Sequence, residues 1–136
     1  MQVSGYRKEY DFKIDLEYGH EGEQNLIDFM NSLQNGCVEV KSDRYRNGRI
    51  AVEVQHKPHG QWLKSGLAVT TAQWWAYRFA PDSFVMVSVP RLKRYLNANH
   101  KRLETRTFAE QSDCPAWGYL LMPQDVHQLM TDTDYD

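Results

Sequence analysis

Apolar and polar residues alternate strictly in some stretches of this chain and recur every three or four residues in others. Val38 and Val40 alternate with Glu39, Lys41 and Asp43 across residues 37–43. Ile50, Val52 and Val54 alternate with Ala51, Glu53 and Gln55 across residues 50–56. A period of two belongs to half-buried strands, one face packed and the other polar. Between them, Tyr45-Arg46-Asn47-Gly48-Arg49 predicts a three-residue hairpin loop with Gly48 in the left-handed position. That turn sets Asp43 opposite Ala51, Lys41 opposite Glu53 and Glu39 opposite Gln55. The result is one surface with neighbouring carboxylates, a lysine and an amide.

The same reading supplies the other elements. Tyr10, Phe12, Ile14 and Leu16 alternate with acidic and basic residues and predict an opening strand over 9–17. Gly19 and Gly22 break the chain before a helix over 21–34, where Leu26, Ile27, Met30 and Leu33 form a stripe and Gly36 supplies a stop. Glu23 precedes Leu26 and Ile27 by three and four residues, so it points along that stripe. A short strand is expected near 61–67. Thr70 or Thr71 caps a second helix with Ala72, Trp75, Ala76 and Phe79 on its apolar face, closed by Pro81. The apolar run 83–89 suits a central strand buried on both faces. Pro90 opens a helix bearing Leu92, Tyr95 and Leu96. Residues 100–116 lack a clear period and read as a long connection. A last strand follows at 117–122, then a short helix from Pro123 and a frayed acidic tail over 131–136.

With 136 residues the chain is long enough for one domain with a proper core, here placed at about 10–90 with a C-terminal strand and helix at 117–130. A formal charge of −2 argues against coating nucleic acid by bulk electrostatics, but leaves room for a local basic groove. Cys37 and Cys114 lack CxxC spacing and suggest a reducing compartment. Neither a membrane-spanning run nor a secretory signal is evident, so a cytoplasmic protein is expected.

Divalent-cation chemistry on a phosphodiester needs hard oxygen ligands and a cation or proton donor near the attacking water. Asp43 and Glu53 lie diagonally across the expected hairpin, roughly 7–8 Å apart, and Lys41 faces Glu53. Glu23 is the natural third carboxylate. This order, a helix with Glu23, then Asp43, then Glu53-Val54-Gln55, then helix and strand, resembles the PD-(D/E)XK nucleases. The likeness is greatest to small phage-type members with a run like Val38-Glu39-Val40-Lys41-Ser42-Asp43 and a later Ser65-Gly66-Leu67-Ala68-Val69-Thr70-Thr71-Ala72-Gln73-Trp74 segment. It covers about residues 10–90.

The resemblance implies an α/β fold, restriction-endonuclease-like, with a central mixed β-sheet flanked by helices. It also implies Mg²⁺- or Mn²⁺-dependent DNA cleavage leaving 5′-phosphate and 3′-hydroxyl ends, in a bacterial or phage-infected cell. Glu23, Asp43 and Glu53 would hold the metal, and either Lys41 or Gln55 would fill the position of the family's lysine. A rival alignment takes Glu39-Val40-Lys41 as the E-x-K element and draws its upstream carboxylate from Asp15 or Asp11.

Arg44, Arg46 and Arg49 at the hairpin tip suit a clamp on a DNA backbone or, equally, a solubilising turn. Lys57, Lys64 and Ser65 extend that edge. His56 and His59 read as loop residues without zinc-site partners. Arg91, Lys93, Arg94, Lys101 and Arg102 read as a solvated helix face. Trp74, off the helical stripe, suits core or interface packing. A domain of this size covers little duplex, so a homodimer would help it engage two strands. The competing reading is a nuclease-like fold without catalysis, suggested by Gln55 where the family has lysine.

Overall fold

In a computed structural model, which describes residues 9–42 and 45–136, the chain divides into two compact units, one up to Gly36 and one over Cys37–Asp136. Among the described residues, the first holds one long helix, α1 (Glu9–Gln34). The expected strand over 9–17 is therefore the first half of that helix. Four alternating apolar residues make a weak strand signal, and once a helix is nucleated each added residue contributes a hydrogen bond. Gly19 and Gly22 cost about 1 kcal/mol each within it without breaking it.

The second unit is mixed α/β, with two sheets, two helices and two short 3-10 turns among the described residues. Its strands are β1 (Val38–Ser42), β2 (Ile50–His56), β3 (Leu63–Lys64), β4 (Trp74–Ala80), β5 (Ser83–Ser88), β6 (Glu104–Phe108) and β7 (Ala116–Leu121). Its helices are α2 (Val89–Asn99) and α3 (Pro123–Thr131). One sheet has the order β1-β4-β5, with β1 parallel to β4 and β5 antiparallel to it. The other has the order β3-β2-β7-β6, antiparallel throughout.

Both strands β1 and β2 form where the alternation predicted them, but they do not pair. β1 lies on β4 (Lys41 beside Tyr77), and β2 lies on β7 (Glu53 beside Gly118). The expected hairpin register is thus overturned, and the strands belong to two sheets rather than one central sheet. The reason is the partners available. Trp74–Ala80 and Ala116–Leu121 are far more apolar than either polar-faced strand, and pairing with them buries more surface.

β4 also replaces the expected helix. Trp75, Ala76 and Tyr77 are buried in succession, as in a strand covered on both faces. The aromatic run WWAYRFA favours that conformation, and spacing alone fits either one. β5 forms as expected, but at a sheet edge with Phe84 exposed rather than at the centre.

The core joins both sheets to the helices: Val52, Trp75, Leu92, Tyr95, Leu121 and Leu129 are each nearly inaccessible. α2 begins with the expected proline in its first turn, and Ser88 caps it, its Oγ accepting from the Arg91 N–H at 3.1 Å. At the start of α3, the Asp125 carboxylate accepts from the Met122 N–H at 2.9 Å.

The C-terminal tail is not frayed. Arg91 donates to the Leu129 carbonyl (2.8 Å), the Asp132 carbonyl (2.6 Å) and the Asp136 carboxylate (2.6 Å). Arg94 donates to the Tyr135 carbonyl, and Asn99 donates to the Tyr135 hydroxyl. Arg102 donates to Asp125 (2.9 Å), to the Tyr95 hydroxyl (2.9 Å) and to Gln128 (2.6 Å). Arg91, Arg94 and Arg102, expected on a solvated face, fasten α2 to the chain end. The Leu129 and Asp132 carbonyls that Arg91 takes are groups that α3 leaves free at its C-terminus, whereas Arg102 takes side-chain oxygens.

A charged cleft between two sheets

β1 reverses the usual disposition of a half-buried strand. Val40 is 53 % exposed, whereas the Glu39 and Lys41 side chains are only 29 % and 39 % exposed and occupy the sheltered side. Lys41 Nζ lies 2.7 Å from Glu39 Oε2 and 5.4 Å above the centre of the buried Trp75 ring. Thr70 Oγ1 donates to the other Glu39 oxygen at 2.6 Å. Burial alone would raise the Glu39 carboxyl, but the hydrogen bonds from Lys41 and Thr70 and the Lys41 charge outweigh it. The group is held below its ordinary value.

Across from β1, the polar face of β2 supplies Ala51 and Glu53. Lys41, Ser42, Ala51, Glu53, Trp75, Tyr77, Phe108 and Ala116 together line a cleft of about 270 Å³. Lys41 and Glu53 therefore share this cleft although their strands do not pair. The Tyr77 hydroxyl, in reach of the Ala51 N–H at 3.5 Å, spans the two sheets.

Glu53 is held from three directions. The buried Ser65 donates its hydroxyl to Glu53 Oε2 at 2.6 Å, and the Ser65 N–H bonds the Val54 carbonyl. Gly66, at φ +53°, lies so close that a Cβ there would collide with the Glu53 carbonyl. A Cβ on Gly118 would likewise strike the Val52 carbonyl. Only glycine permits either approach, so the backbone of this strand is clamped at Glu53.

The register of β2 on β7 slips between Glu53 and Gln55. Such a bulge bends the strand and re-aims side chains beyond it. Gln55 lies past the slip, opposite Trp117 and Lys64, and does not line the cleft.

The cleft continues through Ser42, Ala51, Tyr77 and Phe108 into a second cavity of about 510 Å³. Arg49, Arg78 and Arg106 stand around it. Arg106 is paired with Glu104 at 2.6 Å, while Arg49 and Arg78 have no ion pair among the described residues. Arg78 escaped the sequence reading because it was assigned to a helix. Its only signal was a lone arginine within an aromatic run.

The other expected site residues are dispersed. Asp43 and Arg44 lie outside the described residues. Glu23 is on α1, in the other unit, and the cleft is built from Cys37–Asp136 alone. Arg46, at φ +50°, is exposed in the β1–β2 connection, where Asn47 Oδ1 accepts from the Arg49 N–H. Lys57 lies over the Trp62 ring at 5.6 Å, and Lys64 is exposed on β3. His56 Nδ1 is 3.5 Å from the sulfur of the exposed Cys114, and neither cysteine forms a disulfide among the described residues. Asp15 and Asp11, which the rival alignment draws on, fall in helix α1 rather than in a strand.

Among the described residues, no three His, Cys, Asp or Glu side chains converge as a metal-binding group, and no helix is long and apolar enough to cross a membrane. No protein-family model, curated protein or solved structure matches this chain.

Proposed function

We propose that the chain is a metal-dependent DNA endonuclease with a restriction-endonuclease-like fold, and that the cleft between its sheets is the reaction centre. The observation that carries this reading is that Glu53 and Lys41, from strands of different sheets, face one sheltered cleft. Solvated surface charges have no reason to turn inward and leave Val40 outside.

Glu53 has the donor chemistry that Mg²⁺ or Mn²⁺ requires: a hard carboxylate with one oxygen fixed by Ser65 and no ion-pair partner among the described residues. Glu53 would hold the ion, with Asp43 the second carboxylate that the resemblance implies. Such an ion would supply a more acidic water and positive charge facing the phosphate. Lys41, held by Glu39 and Trp75, orients that water and faces the developing negative charge. Of the two candidates for the family's lysine position, the geometry favours Lys41 over Gln55, because Lys41 lines the cleft.

Purified protein is expected to cleave DNA in Mg²⁺ or Mn²⁺, and Asp43→Asn or Glu53→Gln to abolish cleavage. Activity surviving both substitutions would reject the site. A second reading, a nuclease-like module without catalysis, draws support from the Glu39 carboxylate that already occupies Lys41. Metal titration separates the two, since an inert module gains no thermal stability from Mn²⁺.

A further inference from the structure

The arginine-lined cavity beside the cleft differs from an ordinary phosphate-binding surface in having aromatic walls. Tyr77 and Phe108 belong both to the cleft and to this cavity, while Arg49 and Arg78 stand around it without an ion pair among the described residues. Its volume of about 510 Å³ falls in the ~300–1,000 Å³ range of small-ligand sites. One unstacked nucleotide fits such a space, and a duplex does not.

Guanidinium groups beside aromatic rings are what an unpaired nucleotide needs. The cations take the phosphate, and a ring offers a face to any exposed base. In a duplex the bases are stacked on one another, so the aromatic walls would have nothing to bind and only the arginines would engage. Continuity with Lys41 and Glu53 puts such a nucleotide next to the bond that the cleft would hydrolyse.

We infer that this cavity holds an unpaired nucleotide flanking the scissile phosphate, with Arg49 and Arg78 on the backbone and Phe108 against the base, so that single-stranded DNA is the preferred substrate. This rests on the nuclease reading for its consequence, but binding can be tested apart from cleavage.

The test is fluorescence anisotropy of the full chain in EDTA, with a labelled 12-nucleotide single strand and the duplex of the same sequence. The single strand should bind about tenfold tighter or more. Phe108→Ala should weaken it about tenfold and leave duplex binding within about twofold. Arg78→Gln should weaken the single strand and flatten its salt dependence. Phe108→Leu, which keeps apolar bulk but removes the ring, repeats the test if the alanine variant does not fold. Equal or tighter binding of the duplex, or indifference of the single strand to Phe108 and Arg78, would overturn the proposal. Strand-selective binding without any cleavage in Mn²⁺ would support the cavity and reject the nuclease reading. Cleavage that ignores Phe108 and Arg78 would do the reverse.

Discussion

Two regions of the second unit carry comparable charge and use it in opposite ways. At the chain end, the guanidiniums of Arg91, Arg94 and Arg102 are spent on carbonyls and carboxylates of α3 and the tail. Burial and the Asp125 charge push the Tyr95 phenol up against the opposing Arg102, while the Asp125 hydrogen bond chiefly raises Arg102 itself. In the cleft the pairing is partial. Among the described residues, Glu53 has a serine but no ion pair, the buried Trp75 Nε1–H lacks a partner, and in the adjoining cavity Arg49 and Arg78 have no ion pair. A protein rarely leaves a buried donor such as the Trp75 Nε1–H unanswered, and charges at an open cavity without an ion pair are free to meet a ligand. Closed networks of this kind hold a fold together, and incomplete ones mark a place for a ligand.

Substitutions that separate stability from activity can break this contrast. The largest effect is expected at Glu53: Glu53→Gln should lower cleavage by about 10³-fold while the melting temperature stays near that of the parent. A large loss of stability would make Glu53 a structural residue like Arg102. Next is Arg102→Ala, which leaves the buried Asp125 without its cation. It should cost about 2 kcal/mol, roughly 10 °C in Tm, with cleavage per folded molecule unchanged. Denaturant titration and single-turnover kinetics on the same sample would check both halves.

Ser65→Ala lies between these cases. Freed from its hydrogen bond, Glu53 should retain its chemistry but lose orientation, lowering metal affinity about tenfold by calorimetric titration. The smallest effect concerns acid. Because the folded Glu39 carboxyl sits below its ordinary value, its contribution is complete above about pH 5 and is lost as pH falls through that depressed value. Glu39→Gln should therefore flatten the stability–pH curve on the acid side alone, by less than about 1 kcal/mol. Flattening near neutrality would point to a different group.

Much of this was legible in the chain, but unevenly. The strands at 38–42, 50–56, 83–88 and 116–121 and both C-terminal helices follow from local periodicity and the two prolines. Partner choice did not follow, because pairing depends on distant residues, and the three-residue loop read between Tyr45 and Arg49 joined strands that prefer β4 and β7. β6 was missed since Glu104, Thr105 and Arg106 are exposed on both faces of an edge strand and leave no apolar signature. At the candidate site, Ser65, expected on a DNA-contacting edge, is instead buried and bonded to Glu53, whereas Lys41 and Glu53 were legible from residue type and order. Arg78 and Phe108 were not, because each became meaningful only when the two sheets brought them beside Ser42 and Ala51.

The most direct measurement is a crystal soaked in Mn²⁺ and read by anomalous scattering. A peak within about 2.2 Å of a Glu53 carboxylate oxygen, in the cleft that holds Lys41, is the result expected of a catalytic centre. A cleft without manganese, in crystals that bind it elsewhere, would contradict it.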